Sequence, residues 1–559
     1  MKIKHELKLP YVYPIDQTTL RIRLKVLKKS ISKAYVIYKN IYNHEIDNYY
    51  KIEMKVIMED QNYQYYEVDA KNEIPYFKYC FQIEIDKELF YFNIDGLVKE
   101  NNQKRYFFYP VINSSEIISF PKDSEGKICY QILIDRFYQG DIRTNFNNLK
   151  DLKELPDRNT YYGGNYQGII KKIPYLKTLG VSYLYLSPIF LSPSYHKYDV
   201  IDYYQLDDIY GSIEDLLELI KQCHNNNIKV ILDGVFNHIS SENEIFQDVI
   251  KKGVKSSYYD WFYIECEQPF LYDTFGAGLV PSMPRLNTNN QDVIDYFGEV
   301  MFYWTKKLGI DGWRLDVYDE VSPRFWRSIR QKLKNEFPEI NLVGEIWEQA
   351  HRWLDGSQID TFTNYRYRDL VIELFEEKID VPQFWNKMVD YYSLYPSVYY
   401  HYFINLIGSH DTIRISTLFN DPKVVEAVLI LTLMFPGKPM IYYGDERGLK
   451  GDEDPDNRRA MIWDIKNENN SFYSNLFKLG KLREKNEILR KGDLVIINNQ
   501  KNILSFVRTY KDREIKFIMN LGDEYIEISK DKKILVTNTN NKSKMGKYDY
   551  LIFELGGKI

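Results

Sequence analysis

KVILDGVF (229–236) and DGWRLDV (311–317) read alike: a short apolar run closed by an aspartate, Asp233 in one and Asp316 in the other. A strand that only fills a core has no use for that carboxylate. Working outward, similar runs recur as CYQILIDRF (129–137), YLYLSPIF (183–190), NLVGEIW (341–347), IDTFTN (359–364), YFINLIG (402–408) and PMIYYGD (439–445). Between them lie QGIIKKIPYLKTLG, IEDLLELIKQC, YFGEVMFYWTKKLG and SPRFWRSIRQKLKNEF, whose apolar residues recur three and four apart as on one face of a helix. Eight strand-like runs separated by helical segments predict an α/β fold, a parallel sheet closed into a (β/α)8 barrel. The sixth run is the weakest.

The flanks follow other patterns. RIRLKV (21–26), YYKIEMKVI (49–57), YQYYEVD (63–69) and YFKYCFQIEI (76–85) are rich in Val, Ile, Tyr and Phe and partly alternate. They predict an N-terminal β-sandwich over 1–124, ending at the polar stretch SSEIISFPKDSEG. The barrel would occupy 125–489 and include an excursion over 239–290. That interval is far longer than the roughly 2–6 residues of ordinary barrel loops. Its aromatic content, YYDWFYIECEQPFLYDTFGAG, fits packing over the barrel mouth. LVIINN, ILSFVRTY, REIKFIMNL and YDYLIFEL predict a small C-terminal β domain over 490–559.

Composition excludes several classes. The 559 residues carry 74 basic and 79 acidic side chains, which leaves no electrostatic footprint for nucleic acid. The N-terminus lacks a signal-peptide core, and the most apolar segment, Val424 to Pro436, is too short to span a bilayer. Cys80, Cys129, Cys223 and Cys266 are far apart and form no C-x-x-C pair, so neither a disulfide scaffold nor a thiolate metal site is expected. The expectation is a cytoplasmic protein with no membrane and no nucleic-acid partner. The 50 Tyr, 30 Phe and 8 Trp suit stacking surfaces, but tyrosine-rich cores would account for them as well.

The strand ends carry the chemistry. Asp233, Asp316, Glu345 and His410–Asp411 all close or follow barrel runs, and in a barrel those ends open onto one face. Alternation points Arg314 inward with Asp316, while Trp313 and Leu315 face the helices. A guanidinium beside Asp316 would hold it ionised, which suits a nucleophile. Glu345 has apolar flanks, which suit a proton donor. Such a pair is what glycoside hydrolysis requires.

LDGVFNH (232–238), GWRLDV (312–317), GEIW (344–347) and GSHD (408–411), in this order, resemble the four short motifs of the α-amylase family, glycoside hydrolase family 13. SPSYHKYDVIDYY (192–204), VPSMPRLNTNN (280–290), YYGDE (442–446) and DPDNRRAMIW (454–463) extend the match. MPRLN and the N-terminal β domain narrow it to the neopullulanase, cyclomaltodextrinase and maltogenic amylase subfamily. The resemblance implies a retaining α-glycosidase acting on α-1,4-glucans such as cyclodextrins, maltooligosaccharides and pullulan. Asp316 would be its nucleophile, Glu345 its acid/base and Asp411 its transition-state stabiliser. Arg314, His238 and His410 would hydrogen-bond the sugar at the cleavage point, and Tyr198 would stack beneath it. Asp454 and Arg458 would bind the next sugars on the non-reducing side, and Trp347 would lie on the leaving-group side. It also implies a homodimer through the N-terminal domain.

Structural readings stay open beside these. His238 could cap a helix, Trp347 could simply pack, Tyr198 could belong to a tyrosine-rich core, and Asp454–Arg458 could be a surface ion pair. A 4-α-glucanotransferase would use the same residues, and a non-catalytic glucan-binding protein could share the fold. No cofactor is expected. Many relatives bind calcium after the first barrel strand, but here that loop reads Gln139-Gly140-Asp141-Ile142-Arg143-Thr144-Asn145, followed later by Gly163-Gly164-Asn165. With Arg143 present and Asn165 where a carboxylate is usual, calcium binding there is not expected. Glu348 adds negative charge on the acceptor side.

Overall fold

The computed structural model describes residues 2–42, 49–140, 149–267, 270–463, 471–498, 500–528, 533–539, 541 and 543–555. Eight parallel strands close into a barrel: β1 (Ile128–Ile132), β2 (Val181–Leu186), β3 (Lys229–Gly234), β4 (Gly312–Leu315), β5 (Asn341–Gly344), β6 (Thr361–Asn364), β7 (Ile404–Leu406) and β8 (Lys438–Tyr442). Every residue of β2, β4, β5 and β8 is buried, as expected of strands covered on both faces. Helices α1 (Tyr166–Thr178), α2 (Ile213–Asn225), α3 (Gln291–Leu308) and α4 (Pro323–Glu336) follow the first four strands. Their starts are chemically marked: Asn165, Ser212, Asn290 and Ser322 each cap the following helix through a side-chain oxygen. The alternation of strand and helix lapses once. Between β5 and β6 the chain makes only a 3-10 turn, His351–Trp353, so the expected helix there is absent.

The excursion after β3 holds a helix, Glu244–Lys252, and a two-stranded ribbon, Ile264–Glu267 with Phe270–Tyr272. A single pairing, His238 with Arg285, clips its return to the end of β3, and Trp261 and Phe262 join the barrel's outer core.

The N-terminal domain is two antiparallel sheets packed face to face over Leu20, Ile22, Leu24, Val36, Phe77, Tyr79, Phe81 and Ile83. The run 49–57 is not one strand. Tyr50–Glu53 belongs to one sheet and Lys55–Glu59 to the other, with buried Met54 at the crossing. Arg23 ties this domain to the barrel: its guanidinium bonds Glu67 at 2.6 Å and the Ser393 carbonyl at 2.9 Å. The C-terminal domain is a five-stranded antiparallel sheet. The buried helix Pro422–Met434 separates it from the barrel, and Arg483 and Arg508 donate to the carbonyls of Leu433 and Met434 at that helix's C-terminus. Among the described residues, no helix is long and apolar enough to cross a membrane.

Candidate active site

Asp316 and Glu345 each stand one residue past a barrel strand, and the ladder still positions them. The Asp316 N–H donates to the Gly234 carbonyl at 3.0 Å, and the Glu345 N–H to that of Leu315 at 3.0 Å. Trp313 points outward and donates its indole N–H to Thr305 on α3. Arg314 points inward, with Asp233 directly opposite it on β3.

One guanidinium serves three carboxyls. Arg314 Nη1 lies 2.9 Å from Asp233 Oδ1 and 2.6 Å from Asp316 Oδ1, while Nη2 lies 2.8 Å from Glu345 Oε1. Glu345 is held further by the Val317 N–H on Oε2 at 2.8 Å and by the Trp347 indole N–H on Oε1 at 3.2 Å. Val317 makes its contact from a left-handed backbone, φ 45°, an unfavourable conformation for a β-branched residue.

The sharing corrects one expectation. Arg314 does not hold Asp316 at an ordinary carboxylate pKa. Burial raises the Asp316 carboxyl well above its usual value, Arg314 opposes this, and the neighbouring Glu345 and Asp233 charges add to the rise. Asp233 and Asp411 are also raised, burial first, against the pull of Arg314 and Arg458 respectively. A single positive charge cannot fully stabilise three buried negative ones, so the cluster favours holding a proton.

A directional relay runs beside it. The Gln131 amide nitrogen can only donate, so at 2.7 Å it fixes His410 Nδ1 as the acceptor and Nε2 as the protonated nitrogen. Nε2 lies 2.6 Å from the Tyr198 hydroxyl and 3.0 Å from Asp411 Oδ2. Tyr198 and Tyr185 both donate to Asp233 Oδ2, at 2.8 and 2.6 Å. Burial, reinforced by Arg458 and Arg314, pushes His410 well below the ordinary histidine range, so the ring is neutral. The rings of Tyr198 and His410 lie parallel, 5.2 Å apart. His238 sits against the same segment, its Nε2 donating to the Tyr198 carbonyl at 3.0 Å and its Nδ1 without a hydrogen-bond partner; burial lowers it to about 4.

Asp454 and Arg458 do pair, at 3.2 Å, but not as a surface bridge. Arg458 is buried, reaches Asp411 Oδ1 at 3.2 Å and donates to the Tyr195 hydroxyl at 3.0 Å. Tyr195 in turn donates to Asp454. Trp347 keeps 44% of its surface exposed and stacks on Tyr365, centroids 3.8 Å apart. The structure thus gathers Asp316, Glu345, Arg314, Tyr198, His410, Asp411, Arg458 and Asp454 into one hydrogen-bonded group, with Trp347 and His238 at its borders. Sequence reasoning left Gln131, Tyr185 and Tyr195 out of the site. Gln131 and Tyr185 occupy inward positions of β1 and β2, and that alternation was the available signal.

Of the calcium-loop positions, Asp141, Ile142, Arg143, Thr144 and Asn145 lie outside the described residues. Asn165 Oδ1 accepts from the Gly140 and Gly168 N–H groups at 3.0 and 2.8 Å, capping α1. Among the described residues no group of three His, Cys, Asp or Glu side chains is placed to hold a metal.

Comparison with known proteins gives the family. The α-amylase catalytic domain matches residues 131–492, and the α-amylase N-terminal Ig-like domain matches 1–113. The chain is 38% identical to a cyclomaltodextrinase of Thermoanaerobacter pseudethanolicus, covering 93% of this chain and 92% of that one. It is 36% identical to neopullulanase 2 of Thermoactinomyces vulgaris, covering 93% and 90%. A solved cyclomaltodextrinase structure superposes with a TM-score of 0.88 at 30% identity over 99% of both chains. The chain belongs to the α-amylase family.

Proposed function

We propose that this protein is a retaining α-glycosidase that hydrolyses α-1,4-glucosidic bonds in cyclodextrins, maltooligosaccharides and pullulan. The observation that carries the reading is Arg314, which holds Asp316 and Glu345 on adjacent nitrogens of one guanidinium. That side-by-side placement fits the roughly 5 Å carboxyl spacing of retaining enzymes better than the wider gap that admits a water. Asp316 attacks the anomeric carbon as the carboxylate of the pair, while Glu345 delivers its proton to the departing glycosidic oxygen. Glu345 then takes a proton from the water that releases the sugar from Asp316. Asp411, facing the same space beside Arg458, stabilises the positive charge that develops on the ring. Arg314, His238 and His410 hydrogen-bond the reacting sugar and Tyr198 lies beneath it. Asp454 and Arg458 bind the next sugar, and the exposed Trp347 face receives the leaving group.

The reaction needs no cofactor, and Asn165, whose side-chain oxygen already accepts from two backbone N–H groups, is not expected to ligate calcium. A homodimer in which the N-terminal domain narrows a partner's site, working in the cytoplasm, completes the reading. Initial rates on β-cyclodextrin, pullulan and soluble starch, with products separated by chain length, test it. Cyclodextrin is expected to be the best of the three. Starch as the best substrate would mean an open cleft, and no turnover on any of them would sink the glycosidase reading.

A further inference from the structure

Between β2 and α2 a turn over Ser192–Asp199 carries Tyr198 towards the site and the preceding lysine away from it. Lys197 has a left-handed backbone, φ 65°, which few residues with a Cβ adopt, and only 2% of its surface is exposed. Behind the turn its Nζ lies 2.6 Å from Asp207 Oδ2 and donates to the Ser192 carbonyl at 3.3 Å. Asp207 is buried too and is itself fixed. It follows a two-stranded ribbon, Phe190–Leu191 with Asp202–Leu206; its N–H bonds the Ile189 carbonyl at 2.9 Å, and its Oδ1 accepts from the Ile209 N–H at 3.2 Å. Asp199 closes the turn on itself by accepting from the Ser192 and Ser194 hydroxyls.

A buried ion pair is a poor source of stability, because both charges give up water and apolar residues of similar volume serve as well or better. What the pair adds over apolar packing is a fixed seat: an ammonium held against one carboxylate oxygen cannot slide as a methyl group can. The consequence falls on the next residue. The Tyr198 hydroxyl has to meet Asp233 Oδ2 at 2.8 Å and His410 Nε2 at 2.6 Å together, while the Tyr198 carbonyl takes the His238 N–H. A shift of the turn would break all three contacts.

We infer that Lys197 and Asp207 are positioning residues: buried behind the turn, they act through Tyr198 and aim its ring beneath the reacting sugar. The inference rests on the glycosidase reading above.

Lys197→Met alone would leave the Asp207 charge buried and unpaired. The test therefore uses Lys197→Met with Asp207→Asn, which removes both charges and keeps a side-chain oxygen for the Ile209 N–H. This pair variant is expected to unfold in urea close to the wild type, while kcat on β-cyclodextrin falls about tenfold or more and KM changes less than about threefold. Asp207→Glu, which keeps both charges but displaces the ammonium, is expected to lower kcat about threefold or more. In a Tyr198→Phe background, already slowed by loss of the hydroxyl, the pair variant is expected to cost less than about twofold more, since both changes act on one contact. Unchanged kcat in the pair variant and in Asp207→Glu overturns the positioning role, as do losses that multiply in the Tyr198→Phe background. So does a pair variant that fails to fold while Asp207→Glu keeps full kcat. All of these leave the glycosidase reading standing. A wild type that turns over neither β-cyclodextrin, pullulan nor starch overturns both.

Discussion

At the mouth of the barrel a buried cation is shared by three carboxyls; at the floor a buried cation has none. Arg314 forks onto Asp233, Asp316 and Glu345. Lys438, the first residue of β8, is also buried, but its Nζ has no hydrogen-bond partner and lies over the rings of Tyr183 and Tyr402 at 4.9 and 5.6 Å. Burial lowers it to about 8. Between the two, beneath Arg314, lies a void of about 10 Å³ lined by Ile231, Val343, Ile404 and Met440 among others, about the room of one water. Both ends hold destabilising charge, but only at the mouth does one cation bring two carboxyls, Asp316 and Glu345, side by side. The difference teaches that burying a cation does not by itself gather acids around it; sharing it among several strand ends does.

The sharpest way to break this comparison is at the carboxyls. Asp316→Asn and Glu345→Gln are each expected to lower kcat on β-cyclodextrin by about 10²–10⁴-fold. Retention of more than about a hundredth of the wild-type rate by either variant would remove its residue from the chemistry. Asp316→Asn carries a second expectation. A carboxyl raised by burial favours the fold when protonated, so its contribution is full below its unfolded pKa and is lost as pH rises through the folded value. The variant should therefore melt above the wild type at pH 7, and the gap should close towards pH 4.

Arg314→Met tests the sharing itself. Removing the cation leaves Asp233, Asp316 and Glu345 facing one another in a buried space, and a loss of about 3–5 kcal/mol in urea unfolding is expected. Arg314→Lys should recover part of the stability and little of the activity, because one ammonium nitrogen cannot stand at both places that Nη1 and Nη2 hold against Asp316 and Glu345. Full recovery of both by lysine would show that charge alone matters there.

The floor gives the next effect. An amine lowered from 10.5 to about 8 means that between those values the unfolded chain holds the extra proton. Its penalty is full below about pH 8 and vanishes as pH rises past 10.5. Lys438→Met is then expected to stabilise the protein by about 2–3 kcal/mol at pH 7, with catalysis unchanged, and the advantage should shrink by pH 10. A loss of activity in this variant would erase the distinction between floor and mouth.

How much of this was legible follows from the range of each signal. The barrel strands are local and continuous, so KVILDGVF and DGWRLDV could be read directly, as could the acids at their ends. The sharing of Arg314 depends on the register of three strands, which sets Asp233 opposite Arg314 and Leu315 opposite Gly344, and no local pattern carries that. Lys438 was invisible for a related reason: a lysine at the start of an apolar run reads as its solvated flank. In the N-terminal domain the strand Lys33–Lys39 was missed between its terminal lysines, although Ala34 and Val36–Tyr38 are buried. The crossing at Met54 was missed because a change of sheet does not interrupt the alternation.

Val317 yields the smallest effect and the finest test of the comparison. Its φ of 45° is a conformation glycine adopts freely and a β-branched residue does not, and such strain costs about 1–3 kcal/mol. The same backbone turns the Val317 N–H onto Glu345 Oε2 at 2.8 Å. Val317→Gly releases the strain but frees the unfolded chain, so a net gain of about 1 kcal/mol is expected by urea unfolding. It also loosens the segment that aims the N–H at Glu345, and kcat should fall a fewfold with KM little changed. A gain in stability with that loss would show strain at the mouth tied to the aim of the proton donor. A gain with kcat intact would mean that Val317 is strained for packing reasons, and the mouth would then resemble the floor more closely than the charges suggest.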